Sequence, residues 1–329
     1  MTMLHSLRSF RLAVLILLGF SCTASHAAGF RFIEVPAGRE GPPLRGAVWS
    51  PCRAPAHPIA FDPIVIQGVL DCPAVGTGLP LVVMSHGTGG SLLGHHDTAA
   101  LADAGFVVAA INHPGDNFHD LSRQDRLSAF ATRPVDMHRL VDYMLGPWPD
   151  SNVLNARRVG FFGFSRGGYT GLVAAGAVPD WSLRGDLCPP ASRSALCQDA
   201  RGAAPMPGAT HDPRIRAAVI VDPLSVFDAA GLREVRIPVQ LWSSAYGGDG
   251  VSPQSVQAVR AGLPLSPEWH LVKDAAHFVF LAPCSPALVR IAPPICADAP
   301  NFDRVRFHAV FNADVVAFLR KALALPSGS

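Results

Sequence analysis

The most constraining feature of this sequence is a serine set between glycines where an apolar run meets a helical stretch. Residues 159–163 have the composition of a buried strand, and residues 169–177 follow a helical pattern. Between them lies Gly163-Phe164-Ser165-Arg166-Gly167. A strand that turns directly into a helix leaves little room beside the serine, so small neighbours are needed. The pattern predicts a strained turn that presents Ser165 as a nucleophile.

Apolar runs and helical segments alternate along most of the chain. Uninterrupted apolar strands indicate burial on both faces, and helices between them imply parallel pairing. We therefore expect an α/β fold with a mostly parallel central sheet and helices on both faces. Residues 30–36 and 44–50 are predicted to form an antiparallel pair at the sheet edge. Residues 51–79, which are rich in proline, are predicted to be an irregular connection.

The N-terminal stretch resembles a secretory signal peptide. Arg8 and Arg11 precede an apolar run, and small residues follow as far as Ala28. The run is short for a membrane-spanning helix, although an uncleaved anchor is the alternative. We expect residues 1–27 to be a signal peptide, and the mature protein to be secreted or periplasmic without a transmembrane segment.

The remaining residues, 28–329, are predicted to form a single domain, because no linker divides them. Residues 178–213 are a long insertion that we expect to form a cap over the functional site. Without Arg8 and Arg11 the chain has 25 basic and 25 acidic residues, from totals of 27 and 25. This balance argues against a nucleic-acid partner, which would need clustered positive charge. We expect a monomer that acts on a small molecule or a lipid.

The cysteines indicate disulfides. The chain has seven, of which Cys22 lies in the predicted signal peptide. An even number in an exported chain favours disulfide bonds over free thiols. The six form three couples that are local in sequence, each in a proline-rich loop. The predicted pairs are Cys52–Cys72, Cys188–Cys197 and Cys284–Cys296.

A second loop is a candidate oxyanion hole, the pair of N–H groups that stabilises a developing negative charge. Residues 85–90 read Ser-His-Gly-Thr-Gly-Gly and follow a predicted strand. They lie upstream of the strained turn at Ser165, which we call the elbow. One donor is expected from the N–H of Arg166, which follows the nucleophile. The second is assigned to the N–H of Thr88, with Gly89 as the alternative.

A general base for Ser165 should follow it in the chain, after the acid. His277 lies on a short loop beyond the last predicted strand, where it could reach the serine from above the sheet. Three further histidines are weaker candidates for the base: His211 in the insertion, His270 within a strand and His308 on the C-terminal helix. We therefore predict that His277 is the base.

Two aspartates could orient the imidazole of this base. Asp222 directly follows the strand at 217–221, and Asp249 follows the strand at 239–242 through a loop of small residues. The position of Asp249, between a strand and the start of a helix, favours it. Asp222 stays the alternative.

A metal site is a weaker interpretation of the upstream histidines. His95 and His96 stand beside Asp97, and His113 lies close to Asp116 and His119. Adjacent histidines point apart on regular structure, and no carboxylate pair completes a coordination shell. We therefore expect neither a metal nor another cofactor.

Several motifs in order resemble a known group of enzymes. They are Ser85–Gly90, His113–Asn117, Arg133–Asp136, Gly163–Gly168, and a tail that contains His277, Leu281–Pro286 and Phe302–Arg304. Together they are similar to the bacterial predicted dienelactone hydrolases, which are related to platelet-activating-factor acetylhydrolases and cutinase-like polyesterases. The resemblance covers nearly all of the predicted mature chain.

This resemblance implies the α/β-hydrolase fold and hydrolysis of carboxylic esters through an acyl-enzyme, without a cofactor. The cutinase-like branch favours Asp249 as the acid, and the acetylhydrolase branch favours Asp222. True dienelactone hydrolases use a cysteine where this chain has Ser165. Small or lipid-like esters are the expected substrates. An amidase or peptidase, or a phospholipid deacylase, are the alternatives.

Overall fold

The computed structural model describes residues 27–95, 99–185, 187–202 and 210–324. The predicted signal peptide therefore lies outside the described residues, except for Ala27, which begins the first strand. His96 and Asp97 lie outside them as well. Along the described residues, no helix has both the length and the apolar character needed to cross a membrane.

Ten strands in the described part of the chain form one sheet in the order β10-β9-β8-β7-β5-β6-β2-β1-β4-β3. They are β1 (Ala27–Val35), β2 (Leu44–Cys52), β3 (His57–Phe61), β4 (Ile64–Leu70), β5 (Leu79–Ser85), β6 (Val107–Ile111), β7 (Leu154–Phe164), β8 (Ile215–Val221), β9 (Val239–Ser244) and β10 (Glu268–Val272). Strands β5 to β10 pair in parallel with one another. Their carboxyl ends therefore meet at one edge, where ligands bind in open α/β sheets.

The amino-terminal strands differ from the prediction in their position in the sheet and in the presence of an additional hairpin. β1 and β2 pair antiparallel as expected, but they do not lie at the edge. Residues 51–79, predicted to be irregular, contain the hairpin of β3 and β4, and β4 continues the sheet beside β1. In each strand of the hairpin one buried side chain lies between exposed neighbours, Ile59 in β3 and Ile66 in β4. This alternation is typical of a hairpin at the edge of a sheet.

Helices cover both faces of the sheet, which confirms the predicted α/β class. They are α1 (Ala99–Asp103), α2 (Leu127–Leu145), α3 (Arg166–Ala174), α4 (Ala195–Gly202), α5 (Ala229–Leu232), α6 (Pro253–Gly262), α7 (Pro286–Ile291), α8 (Pro293–Cys296) and α9 (Arg304–Ala322). One core packs α2, α3 and α6 against the sheet, and the other packs α1 and α9. Leu81 and Val82 illustrate the alternation, since each belongs to a different core.

Three disulfides join the cysteines in the predicted pairs, Cys52–Cys72, Cys188–Cys197 and Cys284–Cys296. Cys188–Cys197 and Cys284–Cys296 span only 9 and 12 residues, whereas Cys52–Cys72 joins the last residue of β2 to the segment after β4 and encloses the β3–β4 hairpin. The described part of the insertion at 178–213 packs on the start of α2: the Asp125 side chain accepts from the Ala195 N–H, and Trp181 contacts the ring of Phe130. That this segment caps the site stays a prediction.

Candidate active site

Ser165 lies in a strained turn between β7 and α3. It has a positive φ of 57°, which a residue with a side chain rarely adopts. Its N–H donates to the carbonyl of Val221 at 2.9 Å, so the turn is attached to the end of β8. The Ser165 hydroxyl is buried and has no hydrogen-bond partner among the described residues. Strain and an unsatisfied hydroxyl at the carboxyl end of a parallel sheet are features of a nucleophile elbow.

The glycines of this turn are sterically required, as the sequence predicts. A Cβ on Gly167 would collide with the carbonyl of Ser85 and lie 2.9 Å from that of His86. Because both obstacles are backbone atoms, at the last residue of β5 and the residue after it, they cannot move aside. We expect Gly167→Ala to lower the free energy of unfolding by about 3 kcal/mol, measured by urea denaturation.

Gly38 offers a matched control for this substitution. A Cβ there would meet nothing within 4 Å, and its φ is compatible with alanine. Gly38→Ala should therefore change the free energy of unfolding by no more than about 0.5 kcal/mol. Equal effects of the two substitutions would contradict the steric argument.

His277 lies where the loop after β10 reaches the end of β8. It begins a 3-10 helix, His277–Phe280, and its N–H donates to the carbonyl of Gly247 at 2.9 Å. Its ring stacks on Phe164, with centroids 4.6 Å apart, which places it beside the elbow. The Nδ1 atom is 2.7 Å from Asp222 Oδ2. The Nε2 atom is buried and has no partner among the described residues.

The carboxylate that faces His277 belongs to Asp222, the alternative in the sequence analysis, and not to Asp249, which the sequence favoured. Asp222 is fully buried at the end of β8. It accepts hydrogen bonds from the Ser244 N–H at 2.9 Å and the Ser244 hydroxyl at 2.7 Å. Asp249 is exposed. The last residue of β9, Ser244, thus contacts Asp222, and Gly247 in the following loop contacts His277, but the carboxylate beside the imidazole comes from the end of β8.

The other downstream histidines make contacts unrelated to Ser165. The ring of His270 stacks on Trp242 at 3.9 Å, and its Nε2 lies 3.1 Å from Glu268. His308 is buried, with Nε2 2.8 Å from the carbonyl of Val279. His211 is exposed. Of the four candidates, the structure brings His277 to the elbow.

The loop after β5 approaches the elbow closely. A Cβ on Gly87 would lie 3.3 Å from the Cβ of Ser165. The N–H of Gly89, the alternative oxyanion donor, is engaged by Asp116 Oδ1 at 2.8 Å. The N–H of Thr88 takes part in no hydrogen bond of the described residues. Arg166 is the first residue of α3, so its N–H has no partner within the helix.

A cluster of buried charges lies behind this loop. Asp116 is salt-bridged to Arg133 at 2.9 Å and to Arg166 at 2.7 Å, and all three side chains are almost inaccessible to solvent. Burial opposes ionisation of Asp116, but the two guanidinium charges outweigh it and hold its pKa below the ordinary value. Burial lowers the pKa of Arg133 to about 10, which leaves it charged at neutral pH.

Next to the cluster is a second serine–histidine–aspartate chain. Ser85 Oγ lies 2.9 Å from His113 Nε2, and His113 Nδ1 lies 3.0 Å from Asp136 Oδ2. All three residues are buried, and Ser85 has no positive φ, being the last residue of β5. Burial, and then the charge of Arg133, lower the pKa of His113 well below its ordinary value. The chain of hydrogen bonds connects β5, the loop after β6, and α2.

Sequence reasoning assigned no role to Arg133 or Asp136. A signal for them exists in α2, whose buried face contains Arg133, Asp136 and Arg139 among apolar side chains. Charged residues are rarely buried unless they are paired. Charges at helical spacing on an otherwise apolar face therefore indicate partners in the fold.

The buried carboxyl of Asp136 predicts a pH dependence of stability. Burial raises its pKa to about 7 despite Arg139 and Arg133, whereas an unfolded aspartate titrates near pH ~3.9. Between these values the folded protein binds more protons than the unfolded chain, so the unfolding free energy falls as pH rises. Since asparagine does not titrate, Asp136→Asn should gain stability relative to wild type between pH 5 and pH 7.

Urea unfolding of both proteins across this range measures the difference. Asp249→Asn, at an exposed position, is the control, and its curve should run parallel to that of the wild type. Parallel curves for Asp136→Asn and wild type would contradict the raised pKa.

The described residues contain no group of three or more histidine, cysteine, aspartate or glutamate side chains that could hold a metal ion. His113 and Asp116, considered as ligands from the sequence, have the partners described above. His95 is buried and packs against the rings of Phe162 and Phe164.

Comparisons with known proteins support the fold. No family model matches the chain, and no curated protein matches it, so the family resemblance stays a prediction. Among solved structures, a ferulic acid esterase from Streptomyces cinnamoneus superimposes with a TM-score of 0.63 at 20% identity. The match covers 93% of this chain and 95% of that one. With the sheet order described above, the chain has the predicted α/β-hydrolase fold.

Proposed function

We propose that the protein is a serine hydrolase of carboxylic esters, in which Ser165, His277 and Asp222 form the catalytic triad. The observation that carries this proposal is the buried pair of His277 and Asp222, 2.7 Å apart, beside the strained elbow of Ser165. The acid faces one imidazole nitrogen, and among the described residues neither the other nitrogen nor the serine hydroxyl has a hydrogen-bond partner. Apo sites often have long serine–histidine distances that shorten when substrate binds.

The proposed chemistry follows from these contacts. Asp222 accepts the Nδ1 proton and so keeps Nε2 of His277 free to act as the base. Nε2 removes the hydroxyl proton of Ser165 as its oxygen attacks the ester carbonyl. The N–H groups of Thr88 and Arg166 stabilise the oxyanion. His277 then protonates the departing alcohol, and a water molecule repeats the sequence on the acyl-enzyme.

An apolar surface beside the oxyanion loop supports esters with an apolar acyl or alcohol group. Phe118 and Leu121 have 53% and 54% of their surfaces exposed. The Phe118 N–H donates to the carbonyl of Gly90, and a Leu121 methyl lies 3.2 Å from the Cβ position of Gly89. The neighbour named a ferulic acid esterase supports the ester class.

Export of the protein is also part of the proposal. Three disulfides in the described chain are typical of proteins that fold in an oxidising compartment. The signal-peptide pattern at residues 1–27 supports the same conclusion.

Two measurements on the purified protein test the activity. Hydrolysis of p-nitrophenyl acetate, butyrate and octanoate is compared with hydrolysis of the matching p-nitroanilides. We expect ester hydrolysis with a burst of nitrophenol, since an acyl-enzyme accumulates when deacylation is slower than acylation. A fluorophosphonate probe should label the protein stoichiometrically. Faster cleavage of the anilide would favour an amidase, and absence of labelling would refute a serine hydrolase.

A further inference from the structure

A buried arginine supports the loop that carries the proposed oxyanion donor Thr88. Arg133, on α2, is 1% exposed. Its Nη1 donates to the carbonyl of His86 at 2.6 Å, and its Nη2 donates to the carbonyl of Gly87 at 3.0 Å. One guanidinium group therefore holds two successive peptide carbonyls of the loop.

The position of the Gly87 carbonyl determines where the next N–H points. In a trans peptide the C=O and the N–H of the following residue lie in the same plane and point in opposite directions. Because the Gly87 carbonyl faces Arg133 in the interior, the N–H of Thr88 faces away from it. That N–H takes part in no hydrogen bond of the described residues. The carbonyl also accepts from the Gly90 N–H at 3.2 Å, which closes a turn around Thr88.

Asp116 holds the other end of the same turn. Its Oδ1 accepts the Gly89 N–H at 2.8 Å, while its Oδ2 is salt-bridged to Arg133 at 2.9 Å. Arg133 and Asp116 thus bind a carbonyl and an N–H on either side of Thr88. Such an arrangement leaves the Thr88 peptide little rotational freedom.

Arginine suits this place better than lysine does. Its planar guanidinium presents several donors in a fixed fork, whereas an ammonium is a point charge on a flexible stem. Burying a charge is costly unless it is paired and hydrogen-bonded. Salt bridges to Asp116 and bonds to backbone carbonyls meet that condition.

We infer that Arg133 is a positioning residue that orients the Thr88 N–H toward the oxyanion. The inference deepens the proposed function and rests on it. Arg133 is buried and makes no hydrogen bond to the Ser165 hydroxyl, so its effect on the reaction would pass through the Gly87–Thr88 peptide. The contact between the Thr88 N–H and the oxyanion stabilises the transition state and not the bound substrate. Its loss should therefore lower kcat and leave KM nearly unchanged.

The test compares Arg133→Gln with a matched variant, Arg139→Gln. Arg139 is a second buried arginine of α2, and it donates to the carbonyls of Pro36 and Pro42, away from the oxyanion loop. On p-nitrophenyl acetate we expect Arg133→Gln to lower kcat about 10²-fold, with KM within about threefold of wild type. Arg139→Gln should lower stability and leave kcat unchanged.

Arg133→Lys covers the case in which the glutamine variant does not fold. Lysine keeps the charge and can reach one of the two carbonyls, so we expect a loss of about tenfold in kcat. Equal kcat for Arg133→Lys and wild type would overturn the inference. A loss of kcat in Arg139→Gln that matches the loss at position 133 would overturn it too.

A crystal structure of the variant at position 133 separates this inference from the proposed function. Rotation of the Gly87–Thr88 peptide away from its wild-type orientation supports positioning by Arg133, even if the wild type hydrolyses no ester. An unchanged peptide overturns it. Failure of the proposed function would give a different result, since the wild type would then neither cleave esters nor react with the fluorophosphonate.

Discussion

Ser165→Ala should lower kcat/KM for p-nitrophenyl acetate by at least about 10⁴-fold without destabilising the protein. The loss is large because no other group can form the acyl-enzyme, and the remaining triad residues act only through the serine. Stability should be retained because the Ser165 hydroxyl is buried without a hydrogen-bond partner in the described chain. Alanine meets the same strain at a φ of 57° as serine does.

Initial rates and urea unfolding measure the two effects. Peptide mapping of the phosphonylated wild type should locate the probe on Ser165 alone. Activity that survives in carefully purified Ser165→Ala protein, or a probe on Ser85, would refute the assignment of the nucleophile.

Asp222→Asn should lower kcat by about 10⁴-fold, and Asp249→Asn should leave it within about threefold of wild type. An asparagine at position 222 can donate to Nδ1 of His277, which favours the wrong imidazole tautomer for a base. The two positions are matched in backbone conformation, since Asp222 and Asp249 have φ values of 44° and 51°. Asparagine tolerates this conformation, so backbone strain does not distinguish the variants.

Steady-state kinetics of the two variants, purified in parallel, make the comparison. A large loss at position 249 with little loss at position 222 would restore the ranking that the sequence favours. Equal small losses would argue that neither carboxylate orients the base.

The elbow and the histidine could be predicted because their signals are local. Ser165 has its strand, glycines and helix within a few residues, and His277 directly follows the last strand of the sheet. The three cysteine pairs are likewise close in sequence. In each case short-range geometry leaves few alternatives.

The aspartate that faces His277 could not be predicted in this way because the choice depends on where two strands lie in the sheet. Asp222 follows β8, which is adjacent to β7 and the elbow, whereas β9 is one strand further away. The loop after β9 also turns outward, so that Asp249 is exposed. Both aspartates follow apolar strands, and the sequence alone does not rank them by distance from Ser165.

The hairpin of β3 and β4 and the charges of Arg133 and Asp136 were missed for a related reason. Pro58 and Pro63 lower the strand propensity of a segment that an edge position tolerates. The hydrogen-bond partners of Arg133 and Asp136, His86 and His113, are distant in the chain, so their roles depend on the folded structure. The helical spacing of these charges indicates that they have partners in the fold, but it does not identify the partners.

The two serines that lie near a histidine–aspartate pair, Ser165 and Ser85, would respond differently to random mutagenesis. The Ser165 hydroxyl makes no hydrogen bond to the described residues, so its loss should appear as inactive protein at normal yield. Ser85 satisfies a buried histidine, and its loss leaves His113 with an unmatched nitrogen. Variants at Ser85 should therefore be scarce among soluble proteins, and a screen that scores activity alone would confuse the two serines. Abundance measured beside turnover would distinguish them.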